Sequence, residues 1–149
     1  MLEQIVNNEL DLLSTWFRAN KLSLNVDKTN FILFKSRNKR YPEISVHIDG
    51  RSIKQVSHVK FLGVYLDELL NWTIHISNIS YKVAKNIGIL CKLKHKLPSS
   101  VLLMLYNTMI LPYLTYCNIV GARNRNSQLA PLIKLQKRAV RIVHKARYR

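Results

Sequence analysis

The spacing of apolar positions changes along this chain, from a mixture of helical and alternating patterns in residues 1–70 to an almost purely helical one in residues 71–149. Leu2, Ile5, Val6, Leu10, Leu13, Trp16 and Phe17 recur at three- and four-residue steps, which predicts one stripe of an amphipathic helix ending near Asn20. Leu22 and Leu24 then alternate with polar residues. After a polar turn at Asn25-Val26-Asp27-Lys28, the apolar run Phe31-Ile32-Leu33-Phe34 suits a buried strand. The basic run Arg37-Asn38-Lys39-Arg40, stopped by Pro42, reads as an exposed loop.

Ile44, Val46 and Ile48 alternate with Ser45 and His47, and Asp49-Gly50 supplies the residue types that tolerate the positive φ of a two-residue hairpin turn. A return strand from Ile53 to Val56 is expected. A further apolar run, Val59 to Leu66, contains Gly63, where a missing Cβ permits close approach of a backbone or ligand. The first part is therefore expected to be a helix followed by a small, mostly antiparallel sheet.

From Trp72 onward the period is about 3.6 residues. Trp72, Ile76, Ile79, Val83, Ile87 and Leu90 share one side of a helical wheel, and Lys82, Lys85, Lys92 and Lys96 share the other. Pro98-Ser99-Ser100 restarts a helix expected to run from Val101 to about Val120, kinked at Pro112 and ended by Gly121 with Asn124-Arg125-Asn126. Ser127 is placed to cap a last helix, with Leu132, Leu135, Ala139, Ile142, Val143 and Ala146 on its apolar face. Lys134, Lys137, Arg138, Arg141 and Lys145 lie opposite that face. The fold class is thus α+β: helix plus small sheet over residues 1–70, then a helical bundle over 71–149.

The chain's 149 residues suffice for one core or two small units. Its 24 Lys and Arg against 8 Asp and Glu give a formal charge of +16, which self-repels unless a polyanion or anionic surface is nearby. Nucleic acid is the partner class that this charge favours. The two cysteines, Cys91 and Cys117, lie far apart in helical patterns and build neither a disulfide framework nor a zinc cluster. No secretory signal is visible at the start, so a reducing compartment, cytoplasm or nucleus, is expected. No charge falls between Lys96 and Arg123, but Asn107, Thr108, Pro112, Thr115 and Asn118 interrupt that stretch, favouring a buried helix over a membrane span.

Two-metal polymerases need paired carboxylates that converge on Mg²⁺. Asp67-Glu68 is the only adjacent acidic pair, and neighbours on an extended strand point to opposite faces. The five histidines are scattered, and no Gly-x-Ser-x-Gly turn, His-Glu-x-x-His motif or glycine-rich phosphate loop occurs. No metal site or catalytic residue is therefore assigned. What remains is binding chemistry on two basic helical faces, Lys82, Lys85 and Lys92 on one and Lys137, Arg138 and Arg141 on the other. A solvated charged face is the plain alternative for each helix taken singly; the two together favour phosphate contact.

Several blocks, taken in order, resemble the back half of the reverse transcriptase of jockey-like and related non-LTR retrotransposons. Trp16-Phe17-Arg18-Ala19-Asn20-Lys21-Leu22-Ser23-Leu24-Asn25-Val26-Asp27-Lys28-Thr29 resembles the helix-to-strand block called motif D. Lys60-Phe61-Leu62-Gly63-Val64-Tyr65-Leu66-Asp67 resembles the primer-grip hairpin, motif E. Asn71-Trp72, His75-Ile76 and Lys82 resemble the first thumb helix, Leu111-Pro112-Tyr113-Leu114 and Tyr116-Cys117 the next, and Gln136-Lys137-Arg138-Ala139 with Arg141 the last.

The resemblance implies a C-terminal palm segment at 1–70 and a helical thumb segment at 71–149, together binding a primer–template of RNA and DNA. It implies nucleic-acid contact at Lys60, Phe61, Leu62 and Gly63 as a primer grip. It also places Lys28 near the incoming nucleotide's phosphates, as a cation or general acid; an ordinary turn lysine is the other reading. The family's Tyr-x-Asp-Asp hairpin belongs upstream of the first helix, so fingers, nucleotide pocket and metal site are expected to be missing. The chain is then expected to need the N-terminal polymerase half to polymerise. Mg²⁺ serves the full-length family, and no cofactor is expected here. Near Gly121 the family usually carries Trp after the Tyr-Cys pair, a local departure. Neither an endonuclease segment nor a zinc knuckle is recognisable. The rival expectation is a non-enzymatic basic RNA- or DNA-binding protein; a basic membrane-associated helical protein is a third.

Overall fold

The computed structural model describes residues 1–39, 41–116 and 126–146, which form two compact units, Met1–Leu70 and Asn71–Arg149. Arg40, Cys117, Asn118, Val120, Gly121, Asn124 and Arg125, on which parts of the expected loop and helix end fall, lie outside the described residues.

The first unit begins with α1 (Leu2–Ala19) and a short 3₁₀ turn (Val26–Lys28) whose first residue is capped by the Asn25 side chain, which accepts from the Lys28 backbone N–H at 3.2 Å. Among the described residues six short strands follow: β1 (Asn30–Phe31), β2 (His47–Ile48), β3 (Arg51–Ser52), β4 (Lys54–Gln55), β5 (His58–Phe61) and β6 (Val64–Asp67). They make three separate two-stranded ladders. β2–β3 and β5–β6 are antiparallel, whereas β1–β4 is parallel. The expected single sheet is thus corrected to three pairs, because Ile53 ends one pairing and the next two residues take a different partner.

Asp49 and Gly50 do adopt positive φ, 52° and 70°, at the turn between β2 and β3. Val46, Ile48 and Ile53 form the buried centre, with Val6, Leu10, Leu24, Val26, Phe31 and Ile44 packed around it. The run after Phe31 departs from expectation. Only Asn30 and Phe31 pair, since β4 offers two residues, and Phe34 is exposed.

α1 also buries less than its stripe suggests. Val6 and Leu10 meet the core, but Leu2, Ile5, Leu13 and Trp16 stay exposed, because three buried residues cannot cover a wider face. Polar groups finish the attachment. Asn7 donates to the Ser45 carbonyl at 3.0 Å and accepts from the His47 backbone N–H at 2.9 Å, clamping the β2 segment from both sides of one amide. The buried Ser14 hydroxyl and the Arg18 guanidinium both donate to the Asp49 carboxylate, which fastens the hairpin turn to α1.

The second unit is helical throughout its described residues: α2 (Thr73–Leu93), α3 (Ser99–Met109), α4 (Leu111–Thr115) and α5 (Asn126–Val143). Its core joins Val83, Ile87 and Leu90 of α2 to Leu102, Tyr106 and Ile110, and to Ala139, Ile142 and Val143 of α5. The helix expected from Val101 to Val120 is corrected to two helices that break at Ile110. Pro112 has no N–H to continue the ladder and so occupies the first turn of a new helix, where none is needed. Tyr113 then bonds back to Ile110, so the Met109 carbonyl loses its helical donor; the Asn86 side-chain amide of α2 donates to it at 2.6 Å instead.

Two smaller corrections concern α5. It begins at Asn126, which places Ser127 inside the first turn instead of at the cap, and Ala146 lies past its end and is exposed. No helix among the described residues is long and apolar enough to cross a membrane.

Candidate nucleic-acid interface

The apolar run around Gly63 folds back on itself. Lys60 pairs with Tyr65 and Phe61 with Val64, leaving Leu62 and Gly63 as a two-residue turn with φ of 45° and 85°. Both turn residues need positive φ, which glycine adopts freely and leucine does not. Val64 is buried and anchors the hairpin, while Phe61 is 61% and Leu62 75% exposed, so two large apolar side chains stand at its tip. Beside them the Lys60 ammonium lies over the Tyr65 ring, 5.9 Å from its centre. The tip therefore combines an apolar wedge, a close-approach glycine and a cation. Lys28, by contrast, is an exposed residue of the 3₁₀ turn, held through its backbone N–H to Asn25.

In the second unit the sign of charge is uniform. Residues 71–149 contain fourteen of the chain's 24 Lys and Arg and none of its 8 Asp and Glu. Lys82, Lys85 and Lys92 are exposed on α2, away from the buried Val83, Ile87 and Leu90. Lys82 also lies over the Tyr113 ring of α4, 5.5 Å from its centre, a cation–π contact that steadies this lysine.

Lys137, Arg138 and Arg141 are exposed on α5 and come together with Lys134 and with Lys94, the residue just after α2, around a cleft of about 510 Å³. Lys82, Lys85 and Lys92 do not line it. Lys94 and Cys91 were not singled out for the site in the sequence, because the wheel places Lys92 and Lys96 with Lys82. Their signal is the three-residue step that sets Cys91, in the last turn of α2, and Lys94, just past its end, on one flank next to Leu90.

The chain is 28% identical over 135 residues to the probable RNA-directed DNA polymerase from transposon X-element of Drosophila melanogaster, covering 87% of this chain and 14% of that protein. It is 27% identical over 136 residues to the RNA-directed DNA polymerase from mobile element jockey of the same organism, covering 89% of this chain and 14% of that protein. Its likeness is to non-LTR mobile-element polymerases. The chain spans about one-seventh of the length of these curated relatives. No family model matches it. No solved structure matches it either.

Polymerases of this kind would call for converging carboxylates, and the acidic residues near the hairpin are otherwise engaged. Asp67 accepts from the Leu69 backbone N–H at 3.0 Å, closing the turn after β6. Glu68 pairs with Lys35 at 2.8 Å. Among the described residues no three His, Cys, Asp or Glu side chains converge to hold a metal ion. Among the described residues, then, no donor set is assembled that would fit the Mg²⁺ of a mobile-element polymerase.

Proposed function

We propose that this chain is a segment of the RNA-directed DNA polymerase of a non-LTR retrotransposon. In this reading residues 1–70 are the end of the palm and residues 71–149 the thumb, and together they bind the RNA and DNA of a primer–template. The similarity carries the proposal, because it runs through helix, hairpin and helical unit alike instead of covering one common motif. The exposed tip of Phe61, Leu62 and Gly63 supports a primer grip: it offers a close backbone approach and apolar side chains that can rest against a sugar or base. Lys60, Lys82, Lys85, Lys92, Lys137, Arg138 and Arg141 would contact phosphates, and Lys28 would add a cation near the incoming nucleotide. Polymerisation itself would come from the half of the enzyme that bears the Tyr-x-Asp-Asp hairpin and its Mg²⁺. The cytoplasm or nucleus is the expected setting.

A titration of the full chain against a primed duplex, a blunt duplex and a single strand, repeated over a range of salt, tests this. A thumb-and-palm segment should prefer the primed duplex, and affinity should fall linearly on a log–log salt plot. A second reading, a basic nucleic-acid-binding protein with no polymerase role, draws on the acid-free helical unit. It is favoured if salt dependence is present without any preference for the primed end. Adding the catalytic half in trans, with Mg²⁺ and a primed RNA, should yield nucleotide incorporation that depends on this chain; incorporation indifferent to it would reject the polymerase role.

A further inference from the structure

The cleft between α2 and α5 differs from an ordinary basic face in two respects. First, five cations, Lys94, Lys134, Lys137, Arg138 and Arg141, gather around it, and no Asp or Glu occurs in residues 71–149 to neutralise them. A cluster of this kind within one unit is self-repelling and favours an anion from outside. Second, the space has an apolar part as well as a charged one: Cys91, Ile142 and Ala146 line it alongside the cations. At about 510 Å³ it falls within the size range of small-molecule sites, far beyond what a bare phosphate needs.

These features discriminate between forms of nucleic acid. A duplex keeps its bases stacked inside, so it can offer phosphates to the rim but nothing to fill the apolar interior. An unpaired nucleotide brings both parts at once. Guanidinium planes stack on bases, as aromatic rings do, and Arg138 and Arg141 border the space. We propose that this cleft is a binding site for a single nucleotide of an unpaired strand, its phosphate held by the lysines and arginines and its base set against Cys91, Ile142 and Ala146. The proposal rests on nucleic acid being the partner and deepens that reading, since it assigns the unpaired strand to a place distinct from the hairpin tip.

Cys91 supplies the readout. In the full chain carrying Cys117→Ser, Cys91 is the sole thiol, and its rate of alkylation reports access to the cleft. A short single-stranded oligonucleotide at saturating concentration should slow that rate at least about fivefold, whereas a blunt duplex bound to saturation should leave it near the free value. Ala146→Phe, at an exposed position past the end of α5, should fill the space and lower single-strand affinity about tenfold relative to duplex affinity.

Bound single strand with Cys91 still fully reactive, or equal protection by both nucleic acids, would overturn the cleft assignment while nucleic-acid binding stood. Protection by vesicles of anionic lipid and not by the oligonucleotide would also overturn it. Failure of the wild-type chain to bind any nucleic acid would remove both this proposal and the reading beneath it.

Discussion

Leu62 holds a left-handed φ of 45° while three-quarters exposed, so it bears a conformational cost of about 1–2 kcal/mol that burial does little to offset. Asparagine or glycine would make the same turn more comfortably. Strain held at an exposed apolar residue supports the proposal that this tip is a contact surface, and a binding measurement tests it. Leu62→Gly should relieve the strain but add unfolded-state entropy of about 0.5–1 kcal/mol, leaving stability changed by no more than about 1 kcal/mol. Affinity for a primed duplex should nonetheless fall several-fold. Thermal melts and binding isotherms of the one variant check both halves, and unchanged affinity would remove the tip from the interface. His75 makes a different residue-level statement. It is buried at the start of α2, with its ring centre 6.3 Å from that of Trp72, and burial, followed by the charge of Lys82, lowers its pKa below the ordinary 6.5. Because the folded value is the lower one, the unfolded chain takes up a proton first as pH drops. Stability should therefore be level above about pH 6.5 and decline below it. His75→Gln should flatten that decline in melting temperatures measured between about pH 7.5 and 5.5, and an identical decline would sink the assignment.

At the level of elements, Asn86 shows how one break is accommodated. The step from α3 to α4 strands the Met109 carbonyl, and Asn86 supplies its donor from a neighbouring helix. Asn86→Leu keeps the size of the side chain but leaves that carbonyl unsatisfied, so it should cost about 1–3 kcal/mol, read as a lowered urea midpoint; a change within about 0.5 kcal/mol would show that water takes over. The elements themselves were legible wherever a single periodicity acted over many residues. The α2 stripe of Ile76, Val83, Ile87 and Leu90 is buried as its spacing requires, and Asp49-Gly50 turns as its residue types require. Legibility failed where partner length decided the outcome. Phe31 to Phe34 has the composition of a strand, yet a strand extends only as far as its neighbour, and β4 is two residues long. The stripe of α1 was likewise read correctly as apolar, but a core centred on Val46, Ile48 and Ile53 sets how much of it is covered. The cleft was half legible. Lys137, Arg138 and Arg141 announce a basic face, whereas the three-residue step from Cys91 to Lys94 shows only that the two share a flank; that this flank meets α5 is set by how the helices pack.

For the chain as a whole, the decisive property is the partition of charge: every carboxylate side chain lies in residues 1–70, and the helical unit carries basic residues alone. Such a unit has no acidic side chain of its own to offset its charge and so attracts a polyanion, and the size of that effect is measurable without knowing the bound geometry. Each phosphate contact releases condensed counterions and contributes about −0.9 to the slope of log affinity against log salt for a duplex. Reversing Lys137, Arg138 and Arg141 to glutamate should therefore make the slope shallower by up to about 2.7, with affinity at low salt falling most. All three side chains are exposed, so stability should stay within about 0.5 kcal/mol of the parent, and melting curves would separate lost binding from lost fold. The same substitutions on the opposite arm, Lys82, Lys85 and Lys92, measure whether α2 takes an equal share or whether Lys82, engaged with Tyr113, contributes less than its neighbours. A slope that stays the same in the α5 variant, with the protein still folded, would mean that phosphates are met elsewhere and that this face is merely solvated.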